Sequence, residues 1–152
     1  MKNDQLSETD AQRVRTAFEN VPFARLIGLK LGEIGRGSAT IYLEIREELK
    51  RQGGLVHGGA TASLIDTAAA MAVLTLVERG KAVTVDLTIY YLLPLMTGRA
   101  TAHARVLRSG KRLSVVSVEV FDDAENLAAT AITTYVKSAS PKEGIPAHTV
   151  AA

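Results

Sequence analysis

The run Gly58–Val77 (GGATASLIDTAAAMAVLTLV) contains one charged residue, Asp66, among small and apolar ones. A helical stretch that is apolar nearly all round belongs inside a protein, not on its surface. Alanines at 60, 62, 68, 69, 70 and 72 keep such a helix thin and let neighbouring backbone approach closely. The pattern predicts a helix from Gly58 to about Glu78, terminated by Gly80. A chain built around one enclosed helix must surround it with other structure, and the remaining sequence supplies strands for this.

Ser38–Ile45 alternates, with Ala39, Ile41, Leu43 and Ile45 on one side and Thr40, Tyr42 and Glu44 on the other. A strand around Leu29–Ile34 precedes it. Ala82–Leu92 places Val83, Val85, Leu87, Ile89 and Tyr91 on one face by the same rule. Pro94 and Gly98 mark a turn, and Arg99–Arg108, Leu113–Phe121 and Leu127–Val136 follow with short connections. Sequential antiparallel strands are the economical topology. The expected fold class is therefore α+β, with one long buried helix beside a strongly curved antiparallel sheet of about five strands. Ser7–Asn20 reads as a short amphipathic helix capped by Ser7 with Asp10 and ended by Pro22. The expected organisation is an N-terminal helical segment (1–22), a main domain (23–138) and a polar, disordered tail (139–152).

Composition narrows the function. A chain of 152 residues, 47% hydrophobic and 22% charged, suits one globular domain. Cysteine is absent, so neither a disulfide framework nor a cysteine-ligated metal site is available. The net charge of +2 comes from scattered Lys and Arg rather than a basic stripe, which argues against nucleic acid as a partner. The N-terminus (MKNDQLSETDAQ) lacks an apolar signal core, and no run has the roughly 20 apolar residues of a membrane span. The expectation is a cytoplasmic protein with no membrane partner.

His57-Gly58-Gly59 falls where the long helix begins. A helix start leaves backbone N–H groups unpaired and carries partial positive charge, and glycine lets a ligand oxygen come close. The motif can stabilise an oxyanion, or it can simply fix a turn; the local pattern leaves both open. Asp66 is equally two-sided. It can be a working carboxylate, or a buried one satisfied by Ser63 within helical reach. Spacing adds a condition. Nine residues of helix separate His57 from Asp66 by roughly 13 Å and about half a turn. If both act on one molecule, a second copy must supply one of them, and a two-fold dimer is the natural solution.

The stretch GGLVHGGATASLIDTAAAMA resembles the signature of hotdog-fold acyl-CoA thioesterases, in the PaaI-like branch that includes mammalian thioesterase superfamily member 2. The resemblance continues through ERG (78–80), VTVDLTIYYLLP (83–94) and VLRSGKRL (106–113) and covers about residues 20–137. It implies a helix wrapped by an antiparallel sheet, assembled as a homodimer with shared sites that pairs into a dimer of dimers. It implies hydrolysis of an acyl-CoA thioester, with coenzyme A as part of the substrate and no separate cofactor. Asp66 would be nucleophile or general base. The Gly58 N–H would polarise the carbonyl, with Gly59 beside it and His57 helping to place the substrate. Thr84 would orient water. Arg108, Ser109, Gly110, Lys111, Arg112 and Leu113 would form a turn that holds the coenzyme phosphates, and Asp86 and Tyr91 would line the coenzyme, Tyr91 being equally readable as core.

One departure stands out. The resemblance calls for an asparagine or glutamine six residues before the histidine, and Arg51 stands there, with Gln52 next. Either Gln52 serves through a local shift, or Arg51 replaces the amide with a charge, or the carbonyl relies on Gly58 alone. The alternative class is a non-catalytic acyl-CoA-binding module, a sensor or carrier, in which the acid would be lost; Asp66 argues against it. A hotdog hydratase would place its His and acid differently. No metal site is expected, because His57, His103 and His148 are far apart in sequence. Phe23, Tyr90 and Tyr91 are candidates for the wall of an acyl pocket.

Overall fold

The structure, a computed structural model, describes residues 5–77 and 81–138. Helix α1 spans Glu8–Glu19, with Ser7 Oγ accepting the Asp10 N–H at 3.1 Å, so the predicted cap is present. Val14, fully buried, and Phe18 lie on the face that meets the core. Pro22 does not only stop this helix. It opens a second, α2 (Pro22–Ile27), from the first-turn position, where its missing N–H costs nothing. Gly28 ends α2 in the left-handed region at φ 79°, and the Arg46 guanidinium donates to the Leu26 and Ile27 carbonyls, pinning that end.

The strands are β1 (Leu29–Gly35), β2 (Ser38–Glu44), β3 (Lys81–Tyr91), β4 (Arg99–Ser109), β5 (Leu113–Phe121) and β6 (Leu127–Ser138). They form one antiparallel sheet of six strands, not about five, in the order β1-β2-β4-β5-β6-β3. The long helix, α3, spans Gly58–Leu74, with Thr75 as its C-terminal cap. It stops short of the expected Glu78, because the Thr75 hydroxyl turns back to the Ala72 carbonyl and accepts the Gly37 N–H of the β1–β2 turn. Gly80, the expected terminator, lies outside the described residues. So does the tail, 139–152, expected to be disordered.

α3 touches all six strands, so the sheet wraps it. Its Leu64, Ile65, Ala68, Ala69, Ala72 and Val73 are fully buried. The facing rows alternate as the pleat requires: Ala39, Ile41 and Leu43; Ala100, Ala102 and Ala104; Val116, Val118 and Val120; Ala129, Ala131, Thr133 and Tyr135. Alanine rows on both sides let the helix approach closely. Each of Leu64 and Ile65 contributes about 1.5–3 kcal/mol by burial.

The alternation expected along β3 fails at one point. The pairing with β6 shifts register between Thr84 and Asp86, so Val85 is an extra residue in a bulge. Val83 and Val85 are exposed, and Thr84 takes the inward side with Leu87 and Ile89. β3 lies at the edge of the sheet and, among the described residues, pairs only with β6.

Candidate active site

The start of α3 is built by two glycines and a histidine. His57 Nδ1 accepts the Gly59 N–H at 2.9 Å, so the ring is the N-cap and its proton sits on Nε2. A Cβ at Gly59 would lie 3.0 Å from that nitrogen, which gives the second glycine a physical reason. Gly59 N–H is therefore consumed by the cap, while Gly58 N–H begins the helix with no intrahelical acceptor. Tyr91 Oη donates to the Gly58 carbonyl at 3.0 Å. Tyr91 is 56% exposed, so it is not a core residue.

Gly58 opens into a cleft of about 520 Å³. Its walls are largely apolar, from Leu55, Val56 and the Leu92–Leu95 segment, with Gly59, Thr61, Tyr91 and Ala128 completing them. The Val56 N–H bonds the Leu95 carbonyl at 2.8 Å, tying the two walls together. Arg51 lines the cleft; Gln52 does not. The pair sits in a turn closed by Gly54 N–H to Arg51 O, with Gly53 and Gly54 at φ 94° and 79°. Arg51 Nη1 reaches only the Gln52 carbonyl, and it forms no ion pair among the described residues. Of the three aromatic candidates for the pocket wall, Tyr91 lines the cleft, and Phe23 and Tyr90 do not. His57 is exposed and is not part of the lining.

Asp66 is not part of that lining either. It lies farther along α3, half-buried, where the sheet brings two hydroxyls to one oxygen. Thr84 Oγ1 and Tyr135 Oη each donate to Asp66 Oδ1 at 2.7 Å. Tyr135 Oη also lies 2.8 Å from the Asp66 carbonyl oxygen. Oδ2 has no partner among the described residues and keeps contact with solvent. Ser63 does not satisfy the acid; its hydroxyl donates to the Gly59 carbonyl at 2.8 Å. Burial, and then the Asp66 charge beside it, push the Tyr135 phenol far above the ordinary tyrosine range.

Sequence reasoning missed Tyr135. Its position in β6 follows Ala129, Ala131 and Thr133 on the inward side, where a tyrosine reads as core. The available signal was its hydroxyl, which a buried site must satisfy.

The turn from Arg108 to Leu113 is a tight connection closed by Gly110 N–H to Leu113 O at 2.8 Å. Arg108, Lys111 and Arg112 are exposed there. Lys137, also missed, clamps the turn: its Nζ donates to Ser109 Oγ at 2.8 Å and to the Gly110 carbonyl, and its N–H bonds Arg112 O at 2.8 Å. Register aligns this turn with the acid. Ser109 pairs Ser114, Ser114 pairs Tyr135, and Tyr135 pairs Thr84. Asp86, two residues beyond Thr84, is exposed on the edge strand, with its carbonyl taking the Thr133 hydroxyl at 2.7 Å.

The sequence pattern of the thioesterase superfamily matches residues 53–129, which span the helix start, the acid and the cleft walls. The chain belongs to the thioesterase superfamily. A protein of the archaeon Saccharolobus solfataricus is 34% identical over 137 residues, 90% of this chain and 91% of its own. Human acyl-coenzyme A thioesterase 13 is 34% identical over 106 residues, 67% of this chain and 74% of its own. Among solved structures, the Escherichia coli PaaI protein from the phenylacetic acid degradation operon superposes with a TM-score of 0.82 at 26% identity, covering 88% of this chain and 96% of that one. The helix wrapped by six strands is thus the hotdog fold of this superfamily, and the PaaI-like resemblance holds at the level of structure as well as motif.

Proposed function

We propose that this thioesterase-superfamily protein hydrolyses acyl-CoA thioesters in sites shared by two copies of the chain. The observation that carries the shared site is the split within one chain. Gly58 faces the cleft, whereas Asp66 and Thr84 are absent from its lining. Roughly 12 Å of helix lies between Gly58 and Asp66. β3 offers a free edge for a partner. An antiparallel contact of β3 with its own copy, centred between Leu87 and Thr88, sets Tyr91 of each chain opposite Thr84 of the other. Gly58 of one copy then meets Asp66 of the other across the interface.

In that arrangement the acyl group lies against the apolar walls. Its carbonyl oxygen accepts the Gly58 N–H, where negative charge develops in the reaction. Asp66 supplies the base that takes a proton from attacking water, or the nucleophile itself, and coenzyme A leaves as the thiol. Arg51, the one charged side chain of the cleft, stands where it can add a cation near the carbonyl. The exposed Arg108, Lys111 and Arg112 on the Lys137-clamped turn suit coenzyme phosphates. The name of the human relative, an acyl-coenzyme A thioesterase, supports this substrate class.

The deciding experiment measures free thiol from short-, medium-, long-chain and arylacetyl-CoA, with wild type and Asp66→Ala. Hydrolysis that disappears in the variant supports the reading and ranks the acyl groups. No hydrolysis across the panel, with acyl-CoA still bound, would replace it with a binding module. Turnover in oxygen-18 water separates water attack from an anhydride, which leaves label in the enzyme's own carboxylate.

A further inference from the structure

We infer that Tyr135 is a positioning residue that fixes Asp66 by its Oδ1 and so leaves Oδ2 as the oxygen that meets the reacting molecule. The inference rests on the thioesterase reading above. Oδ1 accepts two hydroxyls, from Thr84 and Tyr135, at 2.7 Å each. A carboxylate oxygen has two lone pairs, so this one is saturated. The same Tyr135 hydroxyl lies 2.8 Å from the Asp66 backbone carbonyl, which ties side chain and backbone of one residue to a single donor. Rotation of the carboxylate would break both hydroxyl contacts to Oδ1.

The donor itself is held rigidly. Tyr135 is 1% exposed, and its strand neighbours in register are Ser114 and Thr84. Ser114 pairs its hydroxyl with Ser109 at 3.2 Å. Among the described residues, the groups that hydrogen-bond the Asp66 carboxylate are Thr84 from β3 and Tyr135 from β6, and α3 adds none. No ion pair to Asp66 forms among the described residues. Two neutral hydroxyls therefore hold the carboxyl group, and they act on one oxygen only.

Tyr135→Phe keeps the ring and removes the donor. A carboxylate free to rotate presents Oδ2 to the reacting molecule less often. Loss of orientation lowers kcat about tenfold while KM stays within about twofold. A ring that only packed would leave kcat unmoved. The carbon-13 resonance of the Asp66 carboxyl at neutral pH differs between the two proteins, because one of its two hydroxyl donors is gone, and this readout needs no substrate. A folded Tyr135→Phe protein with wild-type kcat and an unchanged Asp66 carboxyl resonance would overturn the inference. If wild type releases no thiol from any acyl-CoA, the functional reading fails, and the carboxyl resonance still decides the role of Tyr135. Should Tyr135→Phe not fold, the contact is read from its other end. In Asp66→Asn the tyrosine absorbance then gains a phenolate transition at lower pH than in wild type, and an unchanged titration overturns the inference.

Discussion

Tyr91 on the edge strand donates its hydroxyl to the carbonyl of Gly58, 3.0 Å away, so the start of the central helix is fastened to the sheet at the mouth of the cleft. Tyr91→Phe removes that fastening and leaves the ring. An exposed hydrogen bond of this kind contributes about 0.5 kcal/mol to stability. The Gly58 N–H loses more in position than the fold loses in stability. Thioester turnover is expected to fall about two- to tenfold while the urea midpoint barely moves. Parallel thiol-release and unfolding assays check this.

Asp66→Asn preserves shape and hydrogen-bonding size at the acid. Turnover is expected to drop by about 10²–10⁴-fold, the range for a positioned base, with the melting transition intact. Wild-type rates in this variant would remove Asp66 from the chemistry.

The cleft lining separates Arg51 from Gln52. Arg51→Ala is expected to lower kcat about tenfold or more, and Gln52→Ala by less than about twofold. The reverse order would return the carbonyl contact to the glutamine.

Alkaline stability follows from Tyr135. Its phenol titrates well above the ordinary 10.0 in the folded chain, because burial and the Asp66 charge oppose the phenolate. Above about pH 10 the unfolded chain has released this proton and the folded chain has not. Stability from this group is complete below that pH and falls as pH rises beyond it. Denaturant midpoints measured between about pH 9 and 11 should decline in wild type and flatten in Tyr135→Phe.

Gly98 sits at φ 76°, and a Cβ there would lie 1.8 Å from Asp123 Oδ2. That carboxylate accepts the Arg99 N–H at 2.9 Å, and the Gly98 carbonyl accepts the Ile45 N–H at 2.8 Å. Gly98→Ala meets both strain and clash, so a loss of about 1–3 kcal/mol is expected in chemical denaturation.

How much of this was legible in the sequence depends on whether one residue's environment is local. α3 was legible because enclosure on all sides dictates composition, and Asp66 stood out against it. The capped α1 and most strand alternation were legible for the same reason. The second role of Pro22 was not, since a proline that stops one helix also suits the first turn of the next. The β3 face was misread at Val83 and Val85, because a bulge is set by the partner strand and leaves no mark in alternation. That bulge goes with Thr84 facing inward, toward Asp66, where periodicity alone would have put it outside. Tyr135 and Lys137 act across strands, on Asp66 and on the Ser109–Gly110 turn, and nothing adjacent in the chain announces those partners.

The alanine-lined contact between helix and sheet also sets where this scaffold can change. Ala68, Ala69 and Ala72 have no exposed surface, and Ala100 and Ala102 on β4 have none either. Even one added methylene there must displace backbone. Change in the shape of the cleft is therefore barred from the enclosed middle of the helix. It is left to residues such as Arg51, Leu55 and Leu92–Pro94, exposed or half-buried loop positions that line the cleft. The scaffold thus joins a core that resists any change of volume to a cleft whose shape two short loops can rewrite.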